Sequence, residues 1–76
     1  MSDYALKIQR RFGDALRTER TGRKMSQERL ALSSGISPTY VGEVERGEKM
    51  ASLEIILRLA KAMHLTGAEL LRKAGL

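Results

Sequence analysis

Four residues near the middle of the chain, Thr39, Gly42, Glu43 and Arg46, recur at i, i+3, i+4 and i+7. On a helix that spacing gathers them on one face. The face is small and polar, and it ends in a cation. Thr39 can offer a methyl to thymine and a hydroxyl to a base or a phosphate, and Glu43 can accept from the cytosine N4 amine. Val41 and Val44, three apart, point the other way together with Ile36. A short helix with this polar face suits the major groove of DNA, which is wide enough to admit one. The same stripe is also what an ordinary solvated helix presents, so the residues around it must decide.

Enzymatic chemistry has little to work with. His64 is the sole histidine and there is no cysteine. A solvated position near a helix C-terminus explains His64 better than a role as ligand or base. Glu43 and Glu45 are two apart on a helix and point to different sides, a poor catalytic pair. The four methionines read as core filler. No enzyme activity, metal, cofactor or small-molecule ligand is expected.

The elements that must position the polar face are helical throughout, since no segment sustains period-two alternation. Turn signals at Thr21-Gly22, Ser34-Gly35, Gly47-Glu48 and His64 to Gly67 divide the chain into five helical segments. The first is expected from about Ala5 to Arg20, with Ile8, Phe12, Ala15 and Leu16 as a one-sided apolar stripe. Gly13 lies inside it and implies a close packing contact. Ser26 caps the second helix, whose inward candidates are Met25, Leu30 and Ala31, and Gly35 supplies the left-handed turn that ends it. Ser37 followed by Pro38 opens the third, which stops at Gly47. Ser52 opens the fourth, running to about His64. Thr66 and Glu69 form a capping box for the fifth, flanked by Leu65 and Leu70 as a staple. The second and third segments, joined by Ser34-Gly35-Ile36-Ser37, have the layout of a DNA-binding helix-turn-helix.

Composition narrows the partner. The 76 residues predict one domain, 1–76, with the motif at about 26–46. A chain this short buries only about 60% of the surface its unfolded form exposes, so it packs efficiently or a second copy completes it. Fourteen Lys and Arg against nine Asp and Glu leave +5, which favours a polyanion. The charge is uneven: residues 1–24 carry +4, 25–47 carry −1 and 48–76 carry +2. Arg11, Arg17, Arg23, Lys24 and Lys49, flanking the motif, are therefore phosphate candidates. Apolar runs stop at three residues, as at Ile55-Ile56-Leu57, and Met1 to Phe12 carries charge without an apolar stretch, so neither a membrane span nor a signal peptide is expected. Membrane binding by the basic first helix is disfavoured, because Phe12 and Leu16 are needed inside. A cytoplasmic setting is expected.

The string Met25-Ser26-Gln27-Glu28-Arg29-Leu30-Ala31, then Ser34-Gly35-Ile36-Ser37, then Tyr40-Val41 and Glu45-Arg46-Gly47, resembles the Xre family of bacterial and phage regulators, the Cro- and lambda-repressor-like helix-turn-helix proteins. The similarity continues through Ser52-Leu53 and Leu59-Ala60-Lys61-Ala62 to Glu69-Leu70-Leu71. Within the family, Tyr40-Val41-Gly42 and Glu45-Arg46-Gly47 most resemble the controller proteins of restriction–modification systems. The resemblance implies an all-α, five-helix fold and a two-fold homodimer that reads a pseudo-palindromic operator in double-stranded DNA with its third helix. By the same resemblance Gln27 anchors a phosphate, Pro38, Thr39 and Glu43 lie at base edges, and Tyr40 lies at the groove edge or a phosphate. Arg46 matches a phosphate or base contact, and Arg20 with Glu45 matches a structural ion pair. Glu43 keeps two readings, a base contact or an i,i+3 partner that orients Arg46. Lys24 stands where the family has glycine, and Ala51 where it has proline before Ser52.

The fourth helix carries apolar residues on two stripes. Leu53, Ile56, Leu57, Ala60 and Met63 are expected inward, and Ile55, Leu59 and Ala62 on a second stripe rotated away. Leu70 and Leu71 are adjacent and diverge by about 100° on the fifth helix. Ile55, Leu59, Ala62, Leu70 and Leu71 are accordingly the dimer candidates, on helices spanning about 52–74. A competing function is that of an antitoxin, which binds a toxin and regulates its own operon; Asp3 to Arg11 and Lys73 to Leu76 would have to supply the toxin-binding segment.

Overall fold

The computed structural model describes residues 2–76, and among them the chain forms helices and no strand. In order these are α1 (Asp3–Gly22), α2 (Gln27–Ser34), α3 (Pro38–Glu45), α4 (Leu53–Ala62) and α5 (Gly67–Lys73). Each begins where a hydroxyl replaces a missing helical turn. Ser2, Ser26, Ser37, Ser52 and Thr66 are extended, and each side chain accepts from the backbone N–H three residues on. Glu69 completes the box by accepting the Thr66 N–H at 2.8 Å. Gly35, at φ 71°, ends α2 as expected from its freedom in the left-handed region.

Two boundaries differ from expectation. α1 starts two residues earlier, because Ser2 caps it and Asp3 favours the positive end of its dipole, and it runs on to Gly22. α4 stops at Ala62 rather than near His64. The Ala60 carbonyl there accepts both the Met63 and Leu65 N–H groups, which turns the chain through His64 at φ 60°.

The helices pack around one core of Phe12, Leu16, Leu30, Val41, Val44, Leu59, Met63 and Leu70, with Ala31 and Ala60 at close crossings. Full burial of each Leu stabilises by about 1.5–3 kcal/mol relative to exposure. α1 packs on α3 and α5, α2 on α3 and α4, and α4 on α5. α3 is thus held from two sides, and only its remaining side is left outward.

The direction of α4 corrects the expected stripes. Leu59 is fully buried, while Leu53 and Leu57, expected inside, are 70% and 49% exposed. Sandwiched between α2 and α5, the helix buries an arc that takes Ala60 and Met63 from one stripe and Leu59 from the other. Leu70 is fully buried as well. Leu59 and Leu70 therefore have no surface to give a second copy. Ile55, Ala62 and Leu71 are half-buried against the core. The exposed large apolar side chains are instead Tyr4 on α1, Leu32 on α2, Met50, Leu53, Leu57 and Leu76, of which Leu53 and Leu57 share one face of α4.

Candidate nucleic-acid interface

α3 is braced on α1 along a stripe of four residues, Gln9, Gly13, Leu16 and Arg20, all buried. At Gly13 the helices nearly touch: a Cβ there would stand 2.6 Å from the Glu45 carbonyl oxygen, with the Val44 carbonyl closer still. Two turns along α1, the Arg20 guanidinium donates through Nε to Glu45 Oε2 at 2.6 Å and through Nη2 to Oε1 at 3.0 Å. Its third nitrogen donates to the Met25 carbonyl at 2.8 Å, just ahead of α2. Gln27 closes the network by donating to Glu45 Oε1 at 3.0 Å. Hydrogen bonding to Glu45, opposed by burial, raises the Arg20 pKa above its usual range. Just past the same end of α3, Gln9 donates to the Gly47 carbonyl at 2.9 Å. A buried pair of this kind contributes geometry more than net stability, because desolvation offsets much of the attraction.

The outward side of α3 carries Pro38, Thr39 and Arg46, all exposed, with half-buried Glu43 beside them. Gly42, which shares the predicted stripe, is buried beneath two side chains. An added Cβ would meet Arg46 Nη1 at 3.0 Å and Gln27 Nε2 at 3.7 Å. The start of α2 therefore lies along the same face as the second half of α3. Tyr40 is half-buried against the core, at the rim of this face.

Of the two readings of Glu43, the one that pairs it with Arg46 has no hydrogen bond or ion pair to carry it, since Arg46 is engaged elsewhere. Arg46 caps α3 instead and pairs with Glu48, Nε to Oε2 at 2.8 Å and Nη2 to Oε1 at 3.3 Å. That hydrogen bonding, with the attraction between the charges, raises the Arg46 pKa and holds the Glu48 carboxyl below the usual carboxylate range. Sequence reasoning missed Glu48, although Gly47 signalled it: a glycine in the left-handed region turns the next residue back toward the helix end.

The expected phosphate contacts separate into two groups. Arg17 is exposed on the side of α1 next to α3, about 80° from Gln9. Arg10 lies about 20° from Arg17 and touches Gly47 with its Cγ side, yet composition did not single it out. Lys49 follows α3 and is exposed. Lys24, also exposed, occupies φ 58°, a left-handed backbone that glycine adopts without strain. Arg11 points elsewhere, into a groove shared with Lys73 and Ala74 of the α5 end. Arg23 is a tether: it donates to the Met63 carbonyl at 3.1 Å and to Glu19 Oε1 at 2.8 Å, binding the end of α1 to the end of α4. Arg11 thus stands away from the outward side of α3, and Arg23 is engaged at the junction of α1 and α4. Among the described residues no cluster of His, Cys, Asp or Glu could hold a metal ion, and no helix is long and apolar enough to cross a membrane.

Comparison with known proteins places this geometry in context. Residues 16–70 match the model of a family described as helix-turn-helix. The control protein C.SmaI of Serratia marcescens is 38% identical over 65 residues, which cover 86% of this chain and 77% of that protein. The control protein C.BamHI of Bacillus amyloliquefaciens is 36% identical over 61 residues, 79% of this chain and 75% of the relative. Among solved structures, the restriction–modification controller protein C.AhdI of Aeromonas hydrophila superposes with a TM-score of 0.80 at 47% identity, over 82% of this chain and 94% of its own.

Proposed function

The chain belongs to the helix-turn-helix family of DNA-binding transcriptional regulators, and we propose that it reads a specific pseudo-palindromic site in double-stranded DNA as a homodimer, with α3 in the major groove. The observation that carries this reading is the outward side of α3. Pro38, Thr39 and Arg46 are exposed on one side with half-buried Glu43 beside them, alongside the start of α2, and the helix is braced from behind by Arg20 and Glu45. Phosphates flanking the groove meet Gln27 and the α2 N-terminus on one side and Arg17, Lys24 and Lys49 on the shoulders. Tyr40 lines the groove edge. Similarity to a restriction–modification controller supports a role in regulating restriction and modification genes, in the cytoplasm of a bacterial cell.

Two copies meet through the apolar surface left open by α4. Met50, Leu53 and Leu57 are exposed, and Gly67 leaves room for Leu57, since a Cβ there would lie 2.6 Å from its Cδ2. Half-buried Leu71 borders this surface beside Met50, whereas Ile55 and Ala62 lie about 140–180° around α4 from Leu53 and Leu57, toward α2, and stand outside the proposed interface. A second copy serves stability in a domain this small and supplies the second recognition helix an inverted repeat requires.

Selection from randomised duplexes tests both parts. The expected product is an inverted repeat bound with an affinity that falls steeply with salt. A protein that enriches no sequence contradicts the specific-regulator reading. A monomer that binds one half-site as tightly as the full repeat contradicts the dimer, as does a Leu57→Glu variant with unchanged sedimentation and operator affinity.

A further inference from the structure

Arg46 and Glu48 form a two-pronged pair on the surface, with side chains 58% and 53% exposed. An exposed pair contributes little to stability, because solvent screens it, so its fixed geometry invites another explanation. The backbone that sets it is rigid. Gly47 N–H donates to the Val44 carbonyl at 3.0 Å and Glu48 N–H to the Glu43 carbonyl at 2.9 Å, the pair of bonds that closes a Schellman turn. Gly47 itself, at φ 74°, is pressed against Arg10 and held by Gln9. The Glu48 carboxylate is therefore delivered to one place, the Nε–Nη2 edge of Arg46. Held by that edge, the guanidinium lies back over Gly42, where the missing Cβ leaves room for Nη1.

This arrangement decides what Arg46 can offer. Its Nε–Nη2 edge is occupied by an anion, and an anion beside it repels a phosphate approaching the same group. The free donors are Nη1 and the outer N–H of Nη2, a fork on the outward face of α3. The adjacent acceptors O6 and N7 of guanine match such a fork.

We propose that Glu48 is the positioning residue of Arg46: it turns the guanidinium away from phosphate and toward a base edge, and so sets a preference for guanine at one position of each half-site. The inference rests on α3 lying in the major groove.

The test compares wild type, Arg46→Ala and Glu48→Gln by selection on randomised duplexes, followed by anisotropy titrations against duplexes varied at the selected positions. Wild type is expected to require guanine at one position per half-site, and Arg46→Ala to lose that requirement alone. Glu48→Gln is expected to weaken the guanine preference at that position by about tenfold, within the range of one two-pronged base contact, with the melting temperature and the other positions unchanged. Removing an acid also raises affinity for every duplex, so the ratio between bases is the readout. Full guanine preference in Glu48→Gln overturns the proposal. So does a loss in Arg46→Ala that is uniform across sequences and lowers the salt slope by about one, since that pattern marks a phosphate contact. If wild type selects no sequence, the major-groove reading fails first, and that failure is visible before any substitution is made.

Discussion

Gly13→Ala sets two effects of opposite sign against each other. In a helix interior Ala is favoured over Gly by about 1 kcal/mol, so the substitution would stabilise an isolated α1. Against α3 the added methyl meets backbone, not a movable side chain: the Glu45 carbonyl oxygen at 2.6 Å and its carbon at 2.9 Å. Ordinary contact begins near 3.4 Å, so α1 and α3 must part by several tenths of an ångström. Overpacking of this kind costs about 1–3 kcal/mol. The same separation stretches the Arg20–Glu45 bonds, now 2.6 and 3.0 Å, and charged hydrogen bonds are worth about 1.5–3 kcal/mol each. The clash wins, with a net loss of about 2 kcal/mol and a fall in Tm of roughly 10 °C for a domain of this size. Urea and thermal unfolding followed by circular dichroism measure it. Gly22→Ala, where nothing lies within 4 Å of the added Cβ, is the control and should be neutral or slightly stabilising. A Gly13→Ala protein as stable as wild type would falsify the contact, and with it the tight bracing of α3 by α1.

Glu45→Ala leaves Arg20 buried without its partner and removes the acceptor of Gln27; a loss of about 3 kcal/mol is expected, and an unchanged Tm would show the pair to be dispensable. Lys24→Gly and His64→Gly each relieve a left-handed backbone and should stabilise by about 1 kcal/mol, whereas a loss at either site contradicts the strain. The Thr66 N–H, the leading cause, holds the Glu69 carboxyl below the usual carboxylate range. A depressed folded pKa contributes stability that is present above the unfolded value and lost as pH falls through the folded one. Glu69→Gln should therefore flatten the acid side of a Tm-against-pH curve; superimposable curves for the two proteins would rule this out.

Much of the fold was legible because short-range chemistry carries it. Ser26, Ser37, Ser52 and Thr66 announce their helices by the one geometry a hydroxyl has for capping, and Gly35 ends α2 for want of a Cβ. The outward placement of Thr39 and Arg46 follows from helical periodicity once Val41 and Val44 are assigned to the core. The direction of α4 was not legible. Apolar residues occupy most positions from Leu53 to Met63, so periodicity leaves the buried arc undetermined, and contact with α2 and α5 fixes it. That is why Leu59 moved from interface to core while Leu53 and Leu57 moved outward. Gln9 was missed for a related reason. It occupies a position on the buried stripe with Gly13, Leu16 and Arg20, and its partner is a backbone carbonyl 38 residues away.

The structure also changes the meaning of the charge on the motif. The sum over residues 25–47 is −1, which suggests a reading head repelled by phosphate. One of those acids, Glu45, is buried and neutralised by Arg20 from outside the segment, so it presents no charge to the groove. On the outward side Glu48 pairs with Arg46, half-buried Glu43 lies on the same side of α3, and the cations Arg10, Arg17 and Lys49 stand around the end and side of the helix. Two of the five cations assigned to the shoulders, Arg11 and Arg23, lie beyond this ring. Attraction to DNA is therefore generated at the edge of the recognition face, while its centre is close to neutral. Phosphate contacts of that kind fix register without reading sequence. A nearly neutral centre leaves base choice to hydrogen-bond geometry, which makes the placement of a single guanidinium by Glu48 consequential.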